Sequence, residues 1–291
     1  MTGSNWGRWG PEDEAGALNL IGSEQVLRAT ALVREGRVVR LGQPLDPLVP
    51  GAPHRKRVER FMTRDGGDYA AGARRPHGFQ FAEEVWSFAA HSGTHMDALA
   101  HVWCEDRLYN GYPSSGVRST TGAQRCGAAE LRPVVTRGLL LDVAAGRGHA
   151  LVAGEAVTAS ELQAAADCAQ VQPEPGDAIL VRTGWLAACG DDLTTYFAAE
   201  PGIDRGAAQW LADADVAVVG SDNYAVEVQP SAPGTSFPAH QLLLRDHGVP
   251  LIENLLLDEL ARAGATAFLL VAAPLQLVGG TAGPLSPVAV L

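Results

Sequence analysis

The chain has 291 residues, 46% hydrophobic and 19% charged, which is enough apolar matter for a substantial core and excludes a disordered chain. Its formal net charge of −11 excludes the basic footprint of a nucleic-acid binder and offers no attraction to an anionic membrane. No run of about 18 apolar residues is present, so nothing reads as a membrane span.

Met1 to Gly10 is polar and aromatic and lacks the basic head and apolar stretch of a signal peptide. Cys104, Cys126, Cys168 and Cys189 lie far apart and form no CxxC pair. A disulfide scaffold is therefore not expected, and a cytoplasmic location with free thiols is.

In chain order, Ser23 to Arg34 reads as a helix, with Ser23 as N-cap and Gly36 as stop. Gly51 to Phe79, rich in Arg, Gly, Pro and His, reads as a long surface excursion, either part of a pocket lid or a plain mobile loop. Val85 to Phe88 reads as a strand leading into a histidine cluster, and Gly138 to Val143 as a second strand. Thr158 and Glu161 have capping-box spacing and start a helix to about Ala166.

Strands follow at Ala178 to Arg182 and Val216 to Val219, separated by a helix that Asp204 caps and that contains Trp210 and Leu211. Pro238 stands at the favoured first position of a helix that carries His240 and stops near Gly248. His247 reads as a cation near that helix's C-terminus. Val249 to Glu253 and Ala267 to Ala272 are further strands, with a helix at Asp258 to Ala263 between them. Several strands are near-continuous apolar runs, which suits burial on both faces. The expected class is α/β: one domain over residues 1–291, with a mixed, largely buried sheet flanked by helices and a loop-rich N-terminal third.

Chemistry concentrates in His91-Ser92-Gly93-Thr94-His95-Met96-Asp97-Ala98-Leu99-Ala100-His101. Imidazole and carboxylate are the ligands borderline divalent metals select. His91, His95, Asp97 and His101 would point to one side of an extended segment, and Asp97 and His101 would share a face of a helix. Gly93 argues against one continuous helix, so a strand-end, turn, helix-start path is expected. The bland alternative is a His-rich surface loop, but burying four such groups without a partner would cost several kcal/mol. Cys104, three residues on, is a further candidate ligand but reads better as a small hydrophobe.

Distant support comes from His240 and Glu253. Glu253 ends an apolar strand between Leu251-Ile252 and Leu255-Leu256-Leu257, where a carboxylate needs a partner. His240 is read with equal weight as an exposed helix residue. Trp86, Phe88 and Trp103 flank the cluster and are the first candidates for an aromatic substrate wall, although core packing explains any one of them. Asp222, Asn223 and Glu227 follow a buried strand and can orient the site; no roles are assigned to them.

The segment His91 to His101 resembles the HxGTHxDxPxH signature of the metal-dependent cyclase and kynurenine formamidase superfamily, whose fold is the swivelling β/β/α type. The likeness extends to Trp9 to Asn19, Leu108 to Tyr112, Val181 to Trp185, Gly220 to Asn223, Glu253 to Leu255 and Gly279 to Thr281, nearly the whole chain. The resemblance implies that His91 and His95 ligate a metal, that Asp97 can bridge two metals and that His101 acts in proton transfer. It also implies that His240 and Glu253 complete a second metal position, and that the chain is a homo-oligomer. Leu99 stands where the family pattern has proline, which weakens a formamidase assignment more than it weakens the metal site. One or two ions of Zn²⁺ or Mn²⁺ fit these N/O ligands equally.

Three functions compete. The first is hydrolysis of an amide, formamide, lactam or lactone by metal-activated water, with His101 as acid/base. The second is ring closure or dehydration of a polyketide-like substrate at the same site. The third is a catalytically silent metal- or ligand-binding protein. The expected partner is a small carbonyl compound, aromatic or cyclic, with no nucleic acid and no membrane.

Overall fold

Apolar runs from both halves of the chain meet in one nine-stranded sheet. In the computed structural model, which describes residues 3–47 and 52–291, its strands are β1 (Val38–Arg40), β2 (His95–Asp97), β3 (Val134–Asp142), β4 (Ala178–Arg182), β5 (Val218–Ser221), β6 (Leu251–Glu253), β7 (Ala267–Ala272), β8 (Ala282–Pro284) and β9 (Val288–Val290). The spatial order is β1-β9-β7-β3-β4-β5-β6-β2-β8. The central four, β3 to β6, are parallel and joined through helices, as parallel neighbours require. All remaining pairings are antiparallel, so the sheet is mixed and the α/β class holds.

Residue parity decides which face each side chain takes. Leu139, Leu141, Ile179, Val181, Val219 and Leu251 pack into one cluster with the helices Ala159–Cys168 and Arg205–Asp213 and with Leu242, Leu243 and Leu244. Leu140, Ala178, Leu180, Val218, Ile252 and Met96 face the opposite cluster, which contains Phe268, Leu270 and Leu260. Met96 and Ile252 pair across β2 and β6, as do His95 and Glu253. The polar residues His95, Asp97 and Glu253 therefore share the face covered by the helical segment carrying His240. Each fully buried Leu or Ile in these layers contributes about 1.5–3 kcal/mol, which fixes the register and with it the polar set.

Several elements fall where the sequence places them. The strands Ala178–Arg182 and Ala267–Ala272 match. The Thr158/Glu161 capping box starts the helix Ala159–Cys168, and Asp204 caps Arg205–Asp213 by accepting the Ala207 amide at 2.7 Å.

Others differ. The first helix is Ser23–Thr30, with Gly22 as N-cap and the Gln25 side chain accepting its amide at 3.0 Å. It ends early as the bonds Leu32 N–Ala29 O and Val33 N–Thr30 O tighten into turns. β3 begins at Val134 rather than Gly138, because residues 134–137 already pair with Leu269 to Ala272 of β7; at Gly138 the Phe268 ring fills the space a Cβ would take. β5 and β6 start two residues later than expected.

The helix opened by Pro238 is α-helical only to His240 and continues as a π-helix over Gln241–His247. Gly248, at φ +66, terminates it. His247 is buried there, and burial lowers its pKa, so it is a neutral core residue rather than a helix-terminal cation. The strand at residues 85–88 is Glu83–Ser87, paired with Glu59–Arg64 in a separate two-stranded hairpin. The excursion after residue 51 is therefore structured, with a short helix at Gly66–Ala70; its expected first residue, Gly51, lies outside the described residues, as do Met1 and Thr2. Among the described residues no helix is long and apolar enough to cross a membrane, and all four cysteines are free.

Candidate metal centre

The segment 91–101 runs as turn, strand, turn, without the helix start expected after Gly93. Gly93, at φ +60, reverses the chain just before β2. Its carbonyl accepts the Nδ1–H of His95 at 2.9 Å and the Asn254 amide at 3.1 Å. Thr94 Oγ1 donates to the Asn254 carbonyl at 2.6 Å and accepts the Gln43 amide at 2.8 Å. His95 and Asp97 then lie two apart on one face of β2, flanked by β6 and β8. After β2 the chain turns through His101 N–Ala98 O and returns the third imidazole to the same face.

The side chains converge. His91 Nδ1 is 2.8 Å from Asp97 Oδ1, and His95 Nε2 is 3.5 Å from that oxygen and 3.1 Å from Glu253 Oε2. His101 Nε2 and His240 Nε2 stand 4.0 and 3.9 Å from Asp97 Oδ2, and His240 Nε2 is 3.6 Å from Glu253 Oε1. Two overlapping donor sets result, His91–Asp97–His101 and His95–Asp97–Glu253, with Asp97 common to both and His240 beside the second. Cys104 belongs to neither set among the described residues; it sits in a tight turn bridged to Arg107.

These donors fit a divalent ion. His91 Nδ1, His95 Nε2, both Asp97 oxygens and Glu253 Oε2 are buried without an aligned hydrogen-bond partner among the described residues, although several are close together. These groups are out of water and face mainly one another, an arrangement that is costly to bury without a further partner. A cation accepting their lone pairs removes that penalty.

Three of the imidazoles are oriented from behind, as metal-bound histidines are. His91 Nε2 meets Thr281 Oγ1 at 3.1 Å, His95 Nδ1 meets the Gly93 carbonyl, and His240 Nδ1 meets Glu227 Oε1 at 2.6 Å. Glu227 also accepts the Ala239 and His240 amides.

The electrostatics follow from burial against charge. Burial opposes the charged form of every group here. For His95 the neighbouring Asp97 and Glu253, and for His240 the neighbouring Glu227 and Glu253, outweigh it and raise both imidazoles to about 10. Asp97 is held well below the usual carboxylate range despite burial, by the surrounding histidines. His101 goes the other way: burial, reinforced by His91 and His240, lowers it to about 4. It is neutral at pH 7 and, at 29% side-chain exposure, the most open of the three histidines in the segment.

His101, His240 and Glu253 line one side of a cavity of 460 Å³, whose walls include Trp103, Tyr224 and Phe237 and whose rim carries His54 and Arg55. Of the three aromatic residues expected at the substrate, Trp103 lines this cavity. Trp86 and Phe88 do not; Trp86 stands on the hairpin with the Arg60 guanidinium over its ring. Asp222 accepts from Thr183 and Gly184, and Asn223 bonds Val226 and Pro201, so both brace the strand ends beneath the site.

Sequence reasoning leaves five neighbours unassigned. Glu227 stands out in the sequence as an acidic residue after a buried strand, without a role of its own. Thr281 belonged to a family-like stretch but lies 190 residues from His91. Tyr224 and Phe237 carried no local signal separating pocket from core. Buried Glu200, whose carboxylate accepts the Tyr224 amide at 2.7 Å and which burial holds well above the usual carboxylate range, carried none either.

A family pattern described as a cyclase matches residues 39–228. The chain is 30% identical over 217 residues to isatin hydrolase from Roseibium aggregatum, covering 72% of this chain and 75% of that protein. Among solved structures it resembles a cyclase at 33% identity and TM-score 0.92, over 99% of both chains. It also resembles isatin hydrolase A from Labrenzia aggregata bound to benzyl benzoate, at 23% identity and TM-score 0.64, over 91% of this chain and 97% of that one; this second likeness concerns the fold alone. With two thirds of its length matched and its architecture shared end to end with a solved cyclase, the chain belongs to the cyclase family.

Proposed function

We propose that the protein is a metal-dependent hydrolase of an amide, formamide, lactam or lactone carbonyl, with a cyclic aromatic amide as the favoured substrate. The observation that carries the reading is the convergence of buried donor atoms on His91, His95, Asp97 and Glu253 beside a neutral His101 at the cavity wall. A relative named for hydrolysing isatin, a bicyclic aromatic lactam, supports the cyclic amide.

His91, His95, Asp97, His240 and Glu253 would hold one or two ions, for which Zn²⁺ and Mn²⁺ suit the N/O donors. When bound there, such an ion would supply a lowered pKa for water, from 15.7 to about 7, and polarisation of a carbonyl oxygen. His101 accepts the proton of the attacking water at Nε2 and returns it to the leaving nitrogen or oxygen. Asp97 and Glu253 would supply the negative charge that balances the ion. The walls of Trp103, Tyr224 and Phe237 receive a planar ring.

The family description favours a second reading, ring closure at the same site, with His101 removing a proton beside a carbonyl. Metal analysis of the purified protein, coupled to turnover of isatin, N-formyl arylamines, cyclic imides and lactones in ¹⁸O water, separates the two. Hydrolysis yields a carboxylate carrying ¹⁸O and stops on chelation. Loss of water from a polyketide-like substrate, with no turnover of the others, selects the cyclase. Replacing His101 by Ala lowers kcat about 10²–10⁴-fold with metal content unchanged; loss of the ion instead makes His101 a ligand.

A further inference from the structure

Arg55 stands apart from the other arginines. Of the seven half-buried ones, Arg28, Arg137, Arg147, Arg182 and Arg245 each pair with one or two carboxylates, and Arg64 lies over the Phe81 ring. Among the described residues no carboxylate lies within ion-pair distance of Arg55, in a chain with 33 acidic and 22 basic residues. A guanidinium offers five N–H donors. One of them, on Nη1, donates to the His91 backbone carbonyl at 2.6 Å and fixes the group against the segment that bears the candidate ligands. Arg55 also lines the 460 Å³ cavity.

Its field reaches across that cavity. Burial, Glu200 and Glu253 push the Tyr224 phenol up to about 12, and Arg55 is the group that pulls against them. His54 lines the same cavity, whereas the neighbouring Lys56 is paired with Glu59 at 2.9 Å, so Arg55 is the cationic group of this lining. The same cavity is lined by aromatic surfaces, with Trp103 47% and Phe237 39% exposed.

We propose that Arg55 is a specificity-determining anion site, selecting planar aromatic carbonyl compounds that bear an anionic substituent, a carboxylate or sulfonate, away from the scissile bond. The planar guanidinium meets such an oxyanion through two parallel N–H donors while the ring lies against Trp103 and Phe237. The inference rests on the carbonyl-hydrolase reading, but its test needs no turnover.

The probes are benzenesulfonate, an aromatic anion with little affinity for metal ions, and methyl phenyl sulfone, its neutral counterpart. Both are titrated by calorimetry into the metal-loaded wild type, Arg55→Gln and Arg55→Lys. The wild type is expected to bind the sulfonate at least about tenfold more tightly than the sulfone, with a preference that weakens in salt. Arg55→Gln loses the preference and Arg55→Lys keeps part of it. Equal binding of both probes by the wild type overturns the proposal. So does an equal loss for both probes in Arg55→Gln, which would make the residue a brace for His91; should that variant not fold, an unchanged preference and salt response in Arg55→Lys with sulfone binding lowered does the same. Failure of every carbonyl substrate to turn over, with the sulfonate preference intact, sinks the hydrolase reading instead.

Discussion

Glu227 accepts two backbone amides and the Nδ1–H of His240, so the imidazole has one orientation and its Nε2 faces Asp97 and Glu253. Changing Glu227 to Gln keeps the shape but removes the charge. Metal affinity is expected to fall about 10–100-fold, read by competition with a chelating dye; unchanged affinity would mean that His240 is not a ligand.

Protonation offers a second check at this scale. In the ion-free fold His95 and His240 titrate near 10, above the ordinary 6.5. Their stabilising pairing is complete below pH 6.5 and is lost as pH rises through about 10. An arriving cation replaces those protons, so binding tightens with rising pH and releases about one to two protons at pH 8. Calorimetry in buffers of different ionisation heat counts them, and a count of zero would remove both imidazoles from the inner sphere.

At the level of elements, the helical segment bearing His240 is fixed at its far end by a close backbone approach. Gly248, at φ +66, lies against Gly16 and the Tyr109 ring, whose Cε2 would sit 2.6 Å from any added Cβ. Ala17 donates to the Gly248 carbonyl at 2.7 Å. Replacing Gly248 by Ala is expected to destabilise the protein by about 1–3 kcal/mol, seen as a lower midpoint in thermal unfolding.

The same segment shows what local pattern reveals and what it hides. Pro238 and Gly248 mark both ends in the sequence, and the Ala178–Arg182 and Ala267–Ala272 strands announce themselves by apolar composition. The switch to π-helix has no such signature, because it depends on what the segment packs against. β1, β8 and β9 are three residues each and escape any periodicity count. The histidine cluster is legible because its donors are neighbours in the chain. Thr281 and Arg55 reach the site only through pairing of β8 with β2 and packing of a distant loop, so only folding exposes them.

For the whole molecule, the consequential feature is that one candidate donor set is almost contiguous while the other is scattered. His91, His95, Asp97 and His101 span eleven residues, whereas Glu253 arrives through β6, His240 through the preceding helix and Thr281 beside β8. A denatured chain thus already holds a usable chelating peptide. Dissolved ions will grip it before the distant strands have assembled, and such long-range pairing is slow. Two results are expected. Adding metal should raise the unfolding midpoint by less than its native affinity alone would give, since the unfolded ensemble competes for it. Renaturation from urea should also recover more active material when a chelator is present first and the ion is supplied afterwards; equal recovery in either order would show that the isolated peptide segment has no hold on the metal.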